Sequence, residues 1–453
     1  MRTAPRLVRG DLVTPTKMLS AGGMLVEDGR ITGLFEAAAV PEPAPGWEVH
    51  DVRGSYVLPG AVDAHVHCFS DRREGFAAAT AAAAAGGVTT IIDMPFDQDA
   101  PVDEVEVLTR KIALIAGAAH VDVALHGTVR PGSAGDAIAA LAAAGVCGFK
   151  VSLFETDPVR FPRIDNSDLL ALLGRSRAAG LVVGVHAEDG EIIRGLVATA
   201  KAEGRTRPID HCLTRPPVSE TASVALGLMI ARAAAAPFHI FHASLPETVA
   251  LVSAARAAGD DVSLETCPHY LLFSQEDMAQ LGPLGKINPP LRSPDRVTAM
   301  WELLAAGEID MVTSDHAPWP MDRKSDRQDI FANASGAPGL QTLVPLLLSE
   351  GFSAGRVGLL RLAAVLAENP ARRFNLGHRK GRLEVGLDAD YVIFDPAARW
   401  TLTADNQLSN AGWTPYQGRR MAGQISQTVV RGNTVYEAGS LTGPPLGEHV
   451  RGR

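Results

Sequence analysis

Between about Tyr56 and Asn375, short β-branched apolar runs alternate with alanine- and leucine-rich stretches of helical period, the pattern of repeated βα units. The strand-like runs begin near Tyr56, Thr89, Val121, Gly148, Leu181, His239, Val262 and Met311. Eight such runs predict an α/β fold, a closed (β/α)8 TIM barrel over residues 55–378, with its chemistry at the C-terminal strand ends and the loops after them. A doubly wound open sheet competes, but it wants a glycine-rich phosphate turn after an early strand, and none is evident. The run Ala77 to Ala85 reads as a barrel helix, because alanine is the best helix former and Gly86-Gly87 supplies a stop.

The flanks carry a different period. Arg6-Leu-Val-Arg-Gly10 and Met24 to Leu34 read as short strands, the second a hairpin turning at Asp28-Gly29. Tyr391-Val-Ile-Phe-Asp395 and Thr428 to Tyr436 read likewise, the latter folded at Gly432-Asn433. Residues 1–54 and 379–453 are therefore expected to form a small β-sandwich domain from both ends, with the barrel inserted between them.

With 453 residues and ordinary hydrophobicity, the chain can bury a large core. A net charge of −9 without lysine or arginine runs offers no face for a phosphate backbone, which argues against a nucleic-acid partner. The first ten residues lack a signal-peptide core, and no stretch of ~20 apolar residues could span a bilayer. A soluble cytoplasmic protein without a membrane partner is the expectation. Cys68, Cys147, Cys212 and Cys267 have no Cys-X-X-Cys spacing and are expected as reduced thiols.

The candidate chemistry sits where a barrel would gather it. His65 and His67 are two apart near the end of a strand, so they share a face and can bind one ion together. Lys150, His186, His242 and Asp315 each end, or fall just past, a later apolar run. Any one of these histidines alone reads as a satisfied core residue; six potential ligands at six strand ends read jointly as a metal site. Lys150 is the oddity, since an ammonium at a barrel mouth is costly to desolvate. It is either a snorkelling or ion-paired lysine or something chemically altered. His50, His378 and His449 fall in the flanks, while His126, His211, His269 and His316 could support ligands or touch substrate.

The segments His65-Val-His67, Gly148-Phe-Lys150, His186-Ala-Glu-Asp189, His242-Ala-Ser244, Glu265-Thr-Cys-Pro-His-Tyr-Leu271, Asn288-Pro-Pro-Leu-Arg292 and Ser314-Asp-His-Ala-Pro318 resemble those of the cyclic amidohydrolases: dihydroorotases, allantoinases and hydantoinases or dihydropyrimidinases. The likeness continues through Asn369-Pro-Ala-Arg372, Gly381 to Asp390 and Val430 to Tyr436. The resemblance implies two divalent metal ions per chain, usually Zn2+. His65, His67 and Asp315 would hold the more buried ion, His186 and His242 the other, and carbamylated Lys150 would bridge them. Asp315 would take a proton from the attacking water and deliver it to the departing amide nitrogen. The implied product is an open-chain ureido or carbamoyl acid, and relatives are commonly homotetramers.

Ring preference is read from single positions. Phe69 occupies the place where dihydroorotases carry a carboxylate-binding arginine, and an apolar ring cannot form that pair. Glu155 occupies the place of the imide-binding tyrosine of hydantoinases. Arg73 to Phe76, Asp93-Met-Pro-Phe-Asp-Gln98 and Phe161-Pro162 look more like allantoinase. The small-molecule partner expected is a cyclic ureide or imide, with allantoin favoured and a hydantoin or dihydropyrimidine as the alternative. Ser335, Gly336, His269 and Asn288 are expected near it, although Ser335 to Gly339 could equally be a structural turn. A catalytically silent scaffold is the reading from another class; it is disfavoured because all six ligand positions are intact.

Overall fold

The computed structural model describes residues 4–133 and 137–453. Among them, two eight-stranded sheets dominate. Strands β1 (Arg6–Val13), β2 (Met18–Glu27), β3 (Arg30–Phe35) and β4 (Glu48–Pro59) come from the N-terminal flank. The barrel strands follow: β5 (Ala61–Val66), β6 (Val88–Asp93), β7 (Asp122–Gly127), β8 (Gly148–Ser152), β9 (Val182–His186), β10 (Phe238–Ile240), β11 (Val262–Thr266) and β12 (Met311–Val312). The C-terminal flank supplies β13 (Tyr391–Thr401), β14 (Arg420–Val430), β15 (Asn433–Glu437) and β16 (Ser440–Leu441).

β5 to β12 pair in parallel in sequence order, and a bridge between Val66 and His316 closes the ring. Every residue of β5 to β12 is buried, because helices cover the outside and side chains fill the inside; continuous apolar runs are what such strands require. Gly184 shows how tightly the interior is filled: a Cβ there would lie 2.1 Å from the Phe241 ring. That ring reaches the barrel axis and packs edge-on to His65 at 4.8 Å.

The flanking strands form the second sheet, in the order β16-β15-β14-β13-β4-β1-β2-β3. They enclose a core of their own that includes Val8, Met24, Ile31, Val57, Tyr391 and Ile393. The hairpin at Asp28-Gly29 forms as expected, with φ of 47° and 77°. The later hairpin turns one residue earlier than expected, at Arg431 and Gly432 (φ 46° and 72°), and Asn433 already begins β15.

Three further expectations need correction. Tyr56 does not open the barrel: it lies in β4, paired with Asp11 of β1 and Phe394 of β13. The apolar run from Tyr56 to Val66 is broken by Pro59-Gly60, and the barrel strand starts at Ala61. The strands leading to His242 and Asp315 stop short, at Ile240 and Val312, because His242 and Asp315 take left-handed φ values of 42° and 45° that no strand accommodates.

The alanine run forms a helix, Gly75–Gly86, stopped by Gly87 at φ 82°. It is buried from Ala79 to Gly86 because it lies between barrel and terminal sheet, where Thr428 of β14 donates a hydrogen bond to the Ala84 carbonyl at 2.7 Å. Methyl side chains let both layers approach it. Among the described residues, no helix is long and apolar enough to cross a membrane.

Candidate active site

The six residues singled out at strand ends converge. His65 Nε2 lies 2.6 Å from Lys150 Nζ and 3.2 Å from Asp315 Oδ1, and His67 Nε2 lies 3.6 Å from the same Asp315 oxygen. Donor atoms of His65, His67 and Asp315 all fall within 4.8 Å of one another, so the three could hold one metal ion. Beside them, His186 Nδ1 and His242 Nε2 face each other at 2.9 Å. The two groups adjoin, with His65 and His242 ring centroids 5.2 Å apart.

The electrostatics suit cation binding. Burial keeps His65, His67 and His242 neutral, with pKa values well below the ordinary 6.5, and lowers His186 in the same direction. Neutral imidazole is the ligand form. Imidazole and carboxylate donors at this spacing fit a divalent transition metal. Lys150 is 1% exposed, so it does not snorkel. Burial brings its pKa down to about 8, and burial raises that of Asp315 to about 7.

Two carboxylates orient the rings, and neither stood out as functional in the sequence. Glu265, at the end of β11, meets His65 Nδ1 at 2.5 Å, leaving Nε2 for the centre. Glu188 meets His186 Nε2 at 2.9 Å and is itself held by Arg215 at 2.6 Å. Burial opposes the Glu188 charge, but Arg215 and His186 outweigh it and hold the carboxyl well below its usual range. Fixing the outer nitrogen of a ligating histidine sets its tautomer and aim.

A cavity of about 80 Å³ opens on this cluster, reached by His67, Lys150, His186, His242 and Asp315. Asn288, Ser335 and Gly336 line it. The Asn288 side-chain oxygen is buried there without a hydrogen-bond partner. The aromatic wall is Phe96, Phe161 and Trp319, and the remaining polar lining includes Ser70, Thr156 and Arg160.

Three expected residues are not among the lining. Phe69 turns away and packs edge-on against Phe76 at 4.9 Å, with the Lys111 ammonium 5.5 Å from its ring. Glu155 is exposed: the loop after β8 narrows at an Asp157–Phe161 bridge, which presents Thr156, Arg160 and Phe161 inward instead. His269 is buried against Tyr270, ring centroids 4.2 Å apart. Gln98 also stays outside, accepting from the Arg72 backbone N–H. Arg160 and Trp319 were missed because neither belongs to a periodic segment; no sequence signal marked them. A larger cavity, about 520 Å³, lies at the opposite barrel mouth. Arg256 and Arg373 in its lining are paired with Asp310 and Asp261, and none of the six converging residues reaches it.

The comparisons agree with this geometry. The sequence pattern described as "Amidohydrolase family" matches residues 56–435. Allantoinase from Rubrobacter xylanophilus is 39% identical over 446 residues, which cover 97% of either chain. Allantoinase from Deinococcus radiodurans is 36% identical over 450 residues, covering 99% of this chain and 98% of that one. The solved structure of an L-hydantoinase (dihydropyrimidinase) from Arthrobacter aurescens superposes with a TM-score of 0.94 at 30% identity, over 98% of this chain and 99% of that chain. Likeness of this extent takes in barrel and terminal strands together, and the chain belongs to the amidohydrolase family.

Proposed function

We propose that the protein hydrolyses a ring C–N bond of a cyclic ureide, allantoin to allantoate, at a pair of bound metal ions. The observation that carries this reading is the convergence of two adjoining donor groups, with His186 Nδ1 and His242 Nε2 aimed at each other across 2.9 Å and His65, His67 and Asp315 clustered beside them. His65, His67 and Asp315 hold one ion and His186 and His242 the other. Divalent ions held there, Zn2+ by the family resemblance, would supply Lewis-acid polarisation of the ring carbonyl and activation of water. Lys150, whose burial favours the neutral amine, would add to carbon dioxide with loss of a proton, and the resulting carbamate would serve as a ligand shared by the two groups.

Asp315 moves the proton. Its carboxylate, at the cavity beside His65 and His67, would take a proton from the attacking water and return it to the departing ring nitrogen. Without that transfer the nitrogen would leave as an unstable amide anion. The unpartnered Asn288 oxygen is placed to accept from a ring N–H, and Ser335 and Gly336 offer backbone groups. The relatives named allantoinase support the choice of ring.

A hydantoinase reading is favoured by the likeness to the solved L-hydantoinase and by Phe96 and Phe161, which stack in the cavity wall as an apolar surface for a hydantoin with an apolar 5-substituent. The reading further takes the protein as a cytoplasmic homotetramer, for which four buried free thiols support a reducing compartment. The test is ring opening by the zinc- and bicarbonate-supplemented protein on allantoin, hydantoin, 5-methylhydantoin, dihydrouracil and dihydroorotate. Selective turnover of allantoin is expected. Turnover of hydantoins without allantoin transfers the assignment to the second reading, and metal content far below two ions per chain in an inactive protein would overturn both.

A further inference from the structure

Outside the His–Lys–Asp cluster itself, Arg160 is the one permanently charged side chain that the described residues bring to the cavity lining. It sits on the loop between β8 and the helix Asn166–Ala178, which bridges Ser152 to Arg163 and Asp157 to Phe161 make a narrow, ordered excursion. Arg160 Nη1 donates to the Ser70 carbonyl at 3.0 Å, which pins the guanidinium at the cavity wall, 5.8 Å from the Trp319 ring. Its Nε is buried without a hydrogen-bond partner; the nearest carboxylate oxygen, on Asp157, is 3.9 Å away.

We propose that Arg160 selects the substrate by donating a charge-assisted hydrogen bond to the ureido carbonyl oxygen that allantoin carries on its ring. This inference rests on the allantoin reading and deepens it, because it concerns the group that distinguishes allantoin from other hydantoins. A urea oxygen is a strong neutral acceptor, and a guanidinium with free N–H groups is its natural donor. A methyl or aryl group in the same place offers no acceptor and leaves the buried Nε–H without a hydrogen bond, and sites that reserve a donor for one substituent discriminate strongly against analogues lacking the acceptor.

The test compares wild type, Arg160→Met and Arg160→Lys by kcat/KM on allantoin and on 5-methylhydantoin, the latter followed as substrate or as competitive inhibitor. Because both ligands are read on each variant, a folding defect lowers both and leaves their ratio alone. The expected result is a fall of about 10- to 100-fold in the allantoin to 5-methylhydantoin ratio for Arg160→Met, partly recovered in Arg160→Lys, the size of one hydrogen bond to a charged group. A ratio within about threefold of wild type overturns the inference and leaves Arg160 as a brace for the Ser70 segment. Wild-type protein that opens hydantoins but not allantoin overturns the functional reading instead, a separate result visible before any variant is made.

Discussion

Glu265 carries more of the site than its place beneath it suggests. One carboxylate oxygen meets His65 Nδ1 at 2.5 Å and the other meets His239 Nε2 at 3.3 Å, so a single side chain fixes the aim of His65 toward Lys150 and Asp315 and satisfies a second buried histidine. Glu265→Ala should lower metal affinity about 10- to 100-fold; competition with a chromogenic chelator measures this without reference to turnover, and unchanged affinity would remove Glu265 from the site. Lys150→Ala should lose both activity and metal retention, with partial recovery in millimolar propionate, whose carboxylate can stand in for the carbamate proposed on Lys150. Full activity without the added acid would rule out the bridge. The six converging positions were legible in the sequence because each ends an apolar run, and strand ends of a barrel share one rim. Phe69 and Glu155 were not, since side-chain direction past a strand end is set by loop geometry and has no period to read. His242 and Asp315 mark the same limit from the backbone side: their left-handed φ values are compatible with strain held at a working site and were invisible in the pattern.

The segment from Asp315 to Leu340 has only short turns, yet it delivers Trp319, Ser335 and Gly336 to the cavity. Lys324 holds it together. This lysine is 1% exposed, and its ammonium donates to the carbonyls of Lys286 at 2.9 Å, Ala334 at 3.1 Å and Gly336 at 2.8 Å, with the Trp413 ring 5.6 Å away. Burial pushes its pKa well below that of a free lysine. Lys324→Met removes all three bonds at once; leaving buried carbonyls unpaired costs about 1–3 kcal/mol. The expected outcome is faster proteolytic cleavage within 317–340 and a raised KM, with metal content unchanged. Unaltered cleavage and KM would show that the segment is held by other contacts. Its function was half-legible: Ser335 to Gly339 announced a turn, but nothing in the sequence tied that turn to a lysine eleven residues upstream.

Between the two sheets, Lys380 is 1% exposed and reaches Asp122 at the start of β7 (2.5 Å), Asp388 (2.9 Å) and Asp390 (2.8 Å), while Arg431 completes the pairing of Asp122. Asp122, Asp388 and Asp390 lie close enough to hold a cation, and the ammonium of Lys380 serves in that role. Lys380→Met should destabilise the fold by about 3–5 kcal/mol, because it strands buried carboxylates; denaturant unfolding measures it, and a loss below about 1 kcal/mol would refute it. Stability should also fall with acid. Burial lowers His126 to about 3 and His449 to about 4 from 6.5. The unfolded chain therefore takes up protons below about 6.5 that the folded one refuses, so this contribution is complete above that pH and is lost progressively toward 4 and 3. Urea midpoints between pH 7 and pH 5 should drop, and less steeply in His449→Gln; parallel slopes would clear His449 of the effect.

The pairing of β4 with β13 joins Tyr56 to Phe394, and the backbone of Val123 in β7 is bonded on either side by Glu448 and Val450. A chain emerging from the ribosome thus completes all eight barrel strands while β4 still has a bare edge and β7 lacks its last neighbours. Exposed strand edges invite intermolecular pairing. Translation of the stretch from β13 to Val450 is then the interval in which a chaperone has most to guard, and a pause placed there should raise the yield of soluble protein or lower it according to whether that edge is shielded.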